Sequence, residues 1–270
     1  MSDDHFRLNH SSSAHSSDTD SSGNPALGTP ARDISSRGIP GRHPAPRTES
    51  TDPMLLGPNA AGELMRGARW RRYAVLGDSI AQGIGDPSPG YLPTGWADRV
   101  VTALRAADPE LHYLNTGRMG ATTAQVLTHQ LPRVLEFEPD LVHIICGGND
   151  LFVPEPDLDA LRANLNALFA PLAATGAQLC TFTVADVWET ERMASMAPMR
   201  ERMAGLNAII RDVASAHDAL LVDFWAHPLR LRPELMSSDL IHFASSGHAV
   251  VATEMIRALS TLIPPTAVAR

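Results

Sequence analysis

From Trp70 onward, short apolar runs alternate with longer segments in which apolar residues recur at helical spacing. Short continuous apolar runs are typical of strands covered on both faces. We predict strands at Tyr73–Leu76, Leu111–Leu114, Leu141–Cys146, Gln178–Val184 and Ala219–Phe224. The segments between them predict helices at Trp96–Ala107, Thr122–Phe137 (interrupted at Pro132), Leu158–Ala174, Met199–Ala216 and Ser245–Leu262, with Ser245 or Ser246 as the N-cap of the last one.

Strands that alternate with helices of this length predict a parallel sheet with helices on both faces. Residues 67–270 are enough for one such domain. Residues 1–66 are rich in Ser, Pro, Gly, Asp and His, and we expect this tail to be disordered because it has little apolar surface to bury. Its histidines His5, His10 and His15 are expected to belong to an unstructured tail rather than to a metal site.

The composition and net charge of the chain exclude several classes of function. The chain has 270 residues and a net charge of -8, which argues against nucleic acid as a partner. The chain contains arginine but no lysine, so lysine Schiff-base chemistry and a Walker-type phosphate loop are excluded.

No apolar run reaches transmembrane length and the N-terminus has no apolar leader, so we expect a cytoplasmic protein without stable membrane insertion. Cys146 and Cys180 lie in apolar segments and are interpreted as buried thiols.

Polar and glycine motifs follow the first three predicted strands. Gly77-Asp78-Ser79 follows the first strand, Gly120 the second, and Gly147-Gly148-Asn149-Asp150 the third. Ligands of parallel α/β sheets bind beyond the carboxyl ends of the strands, where the strand order reverses. The segment Asp239–His242 precedes the last helix in a loop that can return to the same edge. These motifs are therefore expected to converge.

The converging groups are those that acyl transfer needs. A serine hydroxyl attacks an ester or thioester when a base takes its proton, and histidine exchanges protons near neutral pH. We assign Ser79 as the nucleophile, His242 as the base and Asp239 as the group that orients the imidazole. The backbone N–H groups of Ser79 and Gly120 and the side-chain amide of Asn149 are the candidate donors to the oxyanion.

The ordered set of Gly77-Asp78-Ser79 with Gly83, then Gly120, Gly147-x-Asn149-Asp150 and Asp239-x-x-His242 resembles the SGNH (GDSL-type) hydrolase family. The resemblance runs from about Tyr73 to Leu262, with Ile80 where Leu is usual and Phe243 where Pro often follows the histidine. It implies a flavodoxin-like three-layer α/β/α sandwich with a five-stranded parallel sheet in the order 2-1-3-4-5. It also implies hydrolysis of a small acyl ester or thioester, through an acyl-enzyme intermediate and without a metal or organic cofactor.

Several of these residues also have ordinary structural interpretations. Gly117 competes with Gly120 for the second glycine, and Ser79 could cap a helix. Asp78 is expected to bond the turn backbone, and Asp150 to form an Asx-turn. We expect His143 to be a hydrogen-bonded core histidine and His248 to be structural.

The methionines of the segment Ala185–Arg200, together with Met203 beyond it, can lie on one helical face, and we favour core packing over an adaptable wall beside the site. This pattern comprises Met193, Met196, Met199 and Met203, with Trp188 before them.

Two other functions stay open. Gly83-Ile84-Gly85 could suggest a nucleotide-binding module, but Pro87 and Pro89 follow and no third glycine opens a helix. A catalytically silent binding module with the same fold is the other alternative. The acyl chain length, the leaving group and the oligomeric state are not determined by the sequence.

Overall fold

The apolar runs form the centre of a five-stranded sheet in the structure, a computed structural model that describes residues 47–264. All strands are parallel, in the order β2-β1-β3-β4-β5. The predicted fold class and strand order are confirmed. The strands are β1 (Arg72–Gly77), β2 (His112–Asn115), β3 (Leu141–Ile145), β4 (Gln178–Phe182) and β5 (Leu220–Val222).

Helices cover both faces of this sheet. They are α1 (Pro58–Met65), α2 (Ser79–Gln82), α3 (Trp96–Arg105), α4 (Thr123–His129), α5 (Leu131–Glu136), α6 (Leu158–Ala173), α7 (Met199–Ala216) and α8 (Ser245–Ser260). Short 3₁₀ helices lie at Asn149–Leu151, Val187–Glu189, Glu191–Met196 and Pro228–Leu231. Within residues 47–264, none of the helices combines the length and the apolar content that crossing a bilayer requires.

The alternation of side chains along β1 explains the layers. Tyr73 and Val75 join the apolar core beneath α1, α3 and α8, whereas Ala74 and Leu76 join the core beneath α4 to α7. Successive side chains of a strand point to opposite faces, so each buried strand contributes to both cores. In the first core, the ring of Trp96 packs edge-on against Phe182, with ring centroids 5.3 Å apart.

The predicted boundary at residue 66 is too late. Residues 47–66 pack on the domain: α1 contacts α3 and α8, and the side chain of Met65 is fully buried. Asp52 forms an ion pair with Arg232, with side chains only 1% and 4% exposed. The prediction failed because residues 1–66 are polar on average, whereas the short segment 47–66 packs against residues that lie far along the chain. Residues 1–46, including His5, His10 and His15, lie outside the described residues.

The start of α8 also differs from the prediction. The N-cap is Ala244, not a serine, and this residue makes no side-chain capping bond. The backbone N–H of Ser245 donates instead to the carbonyl of Asp86, at 2.9 Å. A loop from elsewhere in the chain thus satisfies the first turn of α8, which local sequence cannot reveal.

Candidate active site

Ser79 begins α2 immediately after β1, at the carboxyl edge of the sheet. Gly77 has a φ of 142°, and a Cβ there would lie 1.7 Å from the carbonyl oxygen of Ile145, so the close approach of β1 to β3 requires glycine. The backbone N–H of Ile80 donates to Oδ1 of Asp78 at 2.9 Å. Asp78 therefore caps the turn, as expected, and fixes the start of the helix that carries the Ser79 hydroxyl.

Three side chains from two distant segments form a continuous hydrogen-bonded chain. The Ser79 hydroxyl lies 2.7 Å from Nε2 of His242, and Nδ1 of His242 lies 2.5 Å from Oδ2 of Asp239. Ser79 and His242 are buried. With Nδ1–H donating to the carboxylate, Nε2 is the free acceptor for the serine proton, which is the arrangement of a base poised beside a nucleophile.

The loop between Asp239 and His242 is tight enough to put the carboxylate on the imidazole. Leu240 has a φ of 62°, and Oδ1 of Asp239 accepts the backbone N–H groups of Ile241 and His242 at 3.0 and 3.1 Å. Burial favours the protonated carboxyl, but the hydrogen bonds from the His242 ring and these N–H groups outweigh it and lower the pKa of Asp239. The carboxyl group beside the His242 ring thus favours its anionic form.

Asp86 holds this loop against the segment that follows Ser79. Its backbone N–H donates to the Ser237 hydroxyl at 2.8 Å, and its Oδ2 accepts the N–H and the hydroxyl of Ser238 at 2.8 and 2.7 Å. Bonds from Ser238 lower the pKa of Asp86. Asp86 was not predicted as a site residue, because nothing in the local sequence pattern connects it to a loop more than a hundred residues later.

The candidate oxyanion donors lie on neighbouring loops. Asn149 lines the same cavity as Ser79, and one of its amide hydrogens donates to the carbonyl of Ala121 at 3.0 Å. This bond fixes the amide beside Gly120 and leaves its second N–H available. Within residues 47–264, no hydrogen bond uses the backbone N–H of Ser79 or Gly120.

The structure distinguishes Gly120 from its competitor. Gly117 already donates its N–H to Oδ1 of Asn115, and a Cβ there would lie 2.5 Å from the backbone nitrogen of Gln82. Gly117 therefore serves packing between β2 and α2. Gly120 has a φ of 75° and open space where a Cβ would be.

Two acidic residues beside the site have different environments. Burial raises the pKa of Asp78 to about 7, although N–H groups of Ile80 and Ala81 favour its charged form. Asp150 does not form the predicted Asx-turn; its carboxylate accepts the N–H and the hydroxyl of Thr123 at the start of α4. The partner of Asp150 is thus Thr123, on another loop at the carboxyl edge of the sheet.

The remaining candidates lie outside the chain of Ser79 and His242. His143 is fully buried against Tyr73 and Trp96, and neither ring nitrogen has a hydrogen-bond partner among the described residues, so the predicted hydrogen bond is wrong. Burial lowers its pKa to about 3, which keeps the ring neutral. The Nε2 of His248 lies 3.1 Å from the carbonyl of Ile84, a structural contact as expected.

The two thiols are buried, and burial raises the pKa of both Cys146 and Cys180, as expected for unreactive cysteines. The glycines of the Gly83–Gly85 stretch pack against neighbouring loops: a Cβ on Gly85 would lie 1.8 Å from the carbonyl oxygen of Phe243. Close packing accounts for Gly85 without a nucleotide.

An apolar cavity of about 120 Å³ adjoins Ser79. Its walls include the methionines of the segment 185–203, which form 3₁₀ helices followed by α7 rather than one helical face. Met193 and Met203 are buried, as packing requires, but the same side chains also line the cavity. These methionines therefore both pack in the core and form a wall of the cavity, so the two interpretations of their spacing hold together. Phe152 and Ile241, both exposed at the cavity rim, were not anticipated.

Comparison with known proteins agrees with this geometry. The sequence model of the GDSL-like lipase/acylhydrolase family matches residues 75–250. A variant of Axe2, an acetylxylan esterase from Geobacillus stearothermophilus, is 25% identical with a TM-score of 0.58, covering 72% of this chain and 96% of that chain. TesA is 26% identical with a TM-score of 0.55, covering 71% of this chain and 99% of that chain.

A lipase/acylhydrolase from Enterococcus faecalis is similar in fold, with a TM-score of 0.56 at 23% identity, covering 73% of this chain and 98% of that chain. None of the curated protein sequences matches the chain.

Proposed function

Since this chain belongs to the GDSL-like lipase/acylhydrolase family and is an SGNH-type esterase, we propose that it cleaves a carboxylic ester or thioester through an acyl-enzyme formed on Ser79. The observation that carries the proposal is the distance of 2.7 Å between the Ser79 hydroxyl and Nε2 of His242, with Asp239 on the other ring nitrogen. Hydrogen-bond reach between a nucleophile and an oriented base is the geometric requirement of this chemistry.

In the acylation step, Oγ of Ser79 bonds to the carbonyl carbon of the substrate while its proton moves to Nε2 of His242. Asp239 holds the ring orientation and stabilises the imidazolium. The carbonyl π electrons move to oxygen, and the oxyanion is bound by the N–H groups of Ser79 and Gly120 and the amide of Asn149. The tetrahedral intermediate then expels the alcohol or thiol, which leaves with the proton from Nε2.

In the deacylation step, water takes the place of the leaving group. His242 removes a proton from the water as it attacks the acyl carbon, and the same donors bind the second oxyanion. Collapse of this intermediate releases the carboxylic acid, and the proton on Nε2 returns to Ser79. These steps are carried by side chains and backbone N–H groups of this chain.

Substitution of Ser79 tests the proposal directly. We expect Ser79→Ala to abolish turnover of p-nitrophenyl esters while leaving the melting temperature nearly unchanged, because the methylene of the side chain stays in place. Ser260→Ala, at the far end of α8, is the matched control and should keep full activity. Wild-type activity in Ser79→Ala would refute the assignment.

Labelling with a fluorophosphonate separates an enzyme from a silent binding module of the same fold. A competent nucleophile should be modified at Ser79 in the wild type and in Ser260→Ala, and the label should be absent from Ser79→Ala. An intact protein that takes up no label would favour the silent module.

A further inference from the structure

The cavity beside Ser79 has a lining suited to a hydrocarbon chain. It passes the carboxyl ends of β3 and β4 at Ile145 and Phe182 and continues between two walls. One wall is a face of α7, from which apolar side chains project at intervals of three or four residues: Met199, Met203, Leu206 and Ile210. The other wall comes from the 3₁₀ segment before α7: Val187, Trp188, Met193 and Met196.

Polar groups of this lining lie near the reacting end or already have partners. Among the lining residues described, Asp78 is the one that carries a carboxyl group, and it adjoins Ser79. Deeper in the cavity, the hydroxyl of Thr181 donates to the carbonyl of Ile144 at 2.8 Å. Only the indole N–H of Trp188 is buried without a partner among the lining side chains described. A sugar or other group with several hydroxyls would therefore find one free side-chain donor here, the Trp188 indole, and would lose most of its hydrogen bonds to water without replacing them.

We infer that this cavity is the acyl-binding pocket of the enzyme, and that it selects an apolar, unbranched acyl group of about six carbons or more over acetyl. The inference rests on the proposed function, since it requires the acyl carbon to be bonded to Ser79. An engineered apolar cavity of about 150 Å³ holds benzene, and this cavity of about 120 Å³ is of comparable size. An acetyl group would leave most of it unfilled.

Methionine side chains can pack around acyl chains of different length. Five methionines line the cavity: Met193, Met196, Met199, Met203 and Met236. The unbranched thioether side chain has several rotatable bonds and refills irregular gaps, which lets one pocket pack around acyl groups of different length. The walls are expected to tolerate a range of chain lengths rather than a single one.

The wall before α7 is tied to the rest of the site by arginines. The Arg192 guanidinium donates to the carbonyl of Ser237 at 2.9 Å, on the loop that carries Asp239 and His242. Arg200 donates to the buried carboxylate of Asp186 at 2.9 Å. The Arg192 bond holds the wall before α7 against the loop of Asp239 and His242, and the Arg200 bond joins α7 to the start of that wall, so the pocket has a defined position relative to Ser79.

A chain-length series tests the inference. The probes are p-nitrophenyl acetate, butyrate, hexanoate and octanoate, with kcat/KM measured for the full-length protein. Each methylene that enters an apolar pocket should raise kcat/KM about fourfold, so hexanoate should exceed acetate by about two orders of magnitude. A profile that is flat, or highest for acetate, overturns the acyl pocket.

Filling the pocket provides the second measurement. Met199→Trp, at the partly exposed start of α7, should lower the ratio of hexanoate to acetate kcat/KM at least tenfold, because the indole occupies the space of the distal methylenes. Leu64→Trp is the matched control on α1, outside the lining, and should leave the ratio unchanged. If Met199→Trp melts early, Met196→Trp on the opposite wall makes the same test. An unchanged ratio in a folded pocket variant contradicts the inference.

The two proposals fail in different ways. If Ser79→Ala retains activity, the proposed mechanism is wrong whatever the chain-length profile. If Ser79→Ala is inactive and the profile favours acetate, the mechanism stands and the acyl pocket alone is refuted.

Discussion

The carboxylate of Asp86 accepts two hydrogen bonds from Ser238, one from the backbone N–H at 2.8 Å and one from the hydroxyl at 2.7 Å. Asp86 follows α2, which begins at Ser79, and Ser238 immediately precedes Asp239, whose carboxylate is hydrogen-bonded to the ring of His242. The contact between Asp86 and Ser238 therefore holds the loop of Asp239 and His242 in position relative to Ser79. Asp86 touches none of the reacting atoms and is a positioning residue.

Removal of the Asp86 carboxylate should slow the reaction without changing the substrate preference. We expect Asp86→Ala to lower kcat ten- to hundredfold, on the order of the loss caused by small displacements of reacting groups. The rate of fluorophosphonate labelling at Ser79 should fall in parallel, while the ratio of hexanoate to acetate activity stays as in the wild type.

The conservative variant Asp86→Asn keeps one acceptor oxygen for Ser238 and should recover most of the rate. Equal losses in Asp86→Ala and Asp86→Asn would show that the charge, and not the position of the loop, is what matters. A wild-type kcat in Asp86→Ala would remove its assigned role.

Asn149→Ala tests the oxyanion donors. Loss of one such donor costs about 10²–10³ in kcat, and we expect a loss of that size with little change in KM. Asn166→Ala is the matched control, since this asparagine of α6 also bonds a backbone carbonyl but lies away from the cavity. A loss below about threefold in Asn149→Ala would exclude its amide as a donor.

The raised pKa of Asp78 predicts a pH dependence of stability. Because burial raises its pKa from 3.8 in the unfolded chain to about 7, the stability that Asp78 contributes is fully present below about pH 4 and is lost as pH rises through about 7. Asp78→Asn cannot ionise and accepts the same N–H bond. Between pH 4 and 8, the unfolding free energy of the wild type should therefore fall relative to that of Asp78→Asn, by on the order of a few kcal/mol.

Urea unfolding at successive pH values measures this difference. The control is Ser260→Ala at the end of α8, which removes no ionisable group, so its difference from the wild type should stay nearly constant. If the curve for Asp78→Asn runs parallel to that of the wild type over the whole range, Asp78 is already ionised in the folded protein at acid pH.

The ion pair between Asp52 and Arg232 predicts that the segment before α1 contributes to stability. Asp52→Ala leaves the buried guanidinium without its main partner, and we expect a loss of about 3 kcal/mol in the free energy of unfolding. Glu63→Ala breaks the exposed pair with Arg66 and should cost less than about 1 kcal/mol. Equal effects of the two substitutions would show that residues 47–56 are not held as described.

Local patterns predict much of the fold because the determinants are close in sequence. The apolar run of β1 and the Gly77-Asp78-Ser79 turn need only neighbouring residues to define a strand, a tight turn and a capped helix. The spacing of Asp239 and His242 likewise puts a carboxylate within reach of a ring in one short loop. The cytoplasmic location and the disorder of residues 1–46 stay predictions.

Other features depend on partners that no local pattern identifies. The N-terminal segment up to Met65 has a polar composition, yet Asp52 meets Arg232 across the fold. The alternating pattern around His143 indicates burial but not the absence of a hydrogen-bond partner. The methionine spacing is compatible with one helix, whereas 3₁₀ turns and the contact of Arg192 with Ser237 make that segment a cavity wall.

The sequence by itself determined the order of the five strands, the positions of α3, α6, α7 and α8, the family and the residue types available for acyl transfer, because these depend on periodicity and on short motifs. Tertiary structure alone decided that Asp86 locks the loop of His242, that Asn149 is fixed by Ala121, and that methionines enclose a cavity at Ser79. Each of these is a contact between segments far apart along the chain, and its free energy depends on the geometry that the whole sheet imposes.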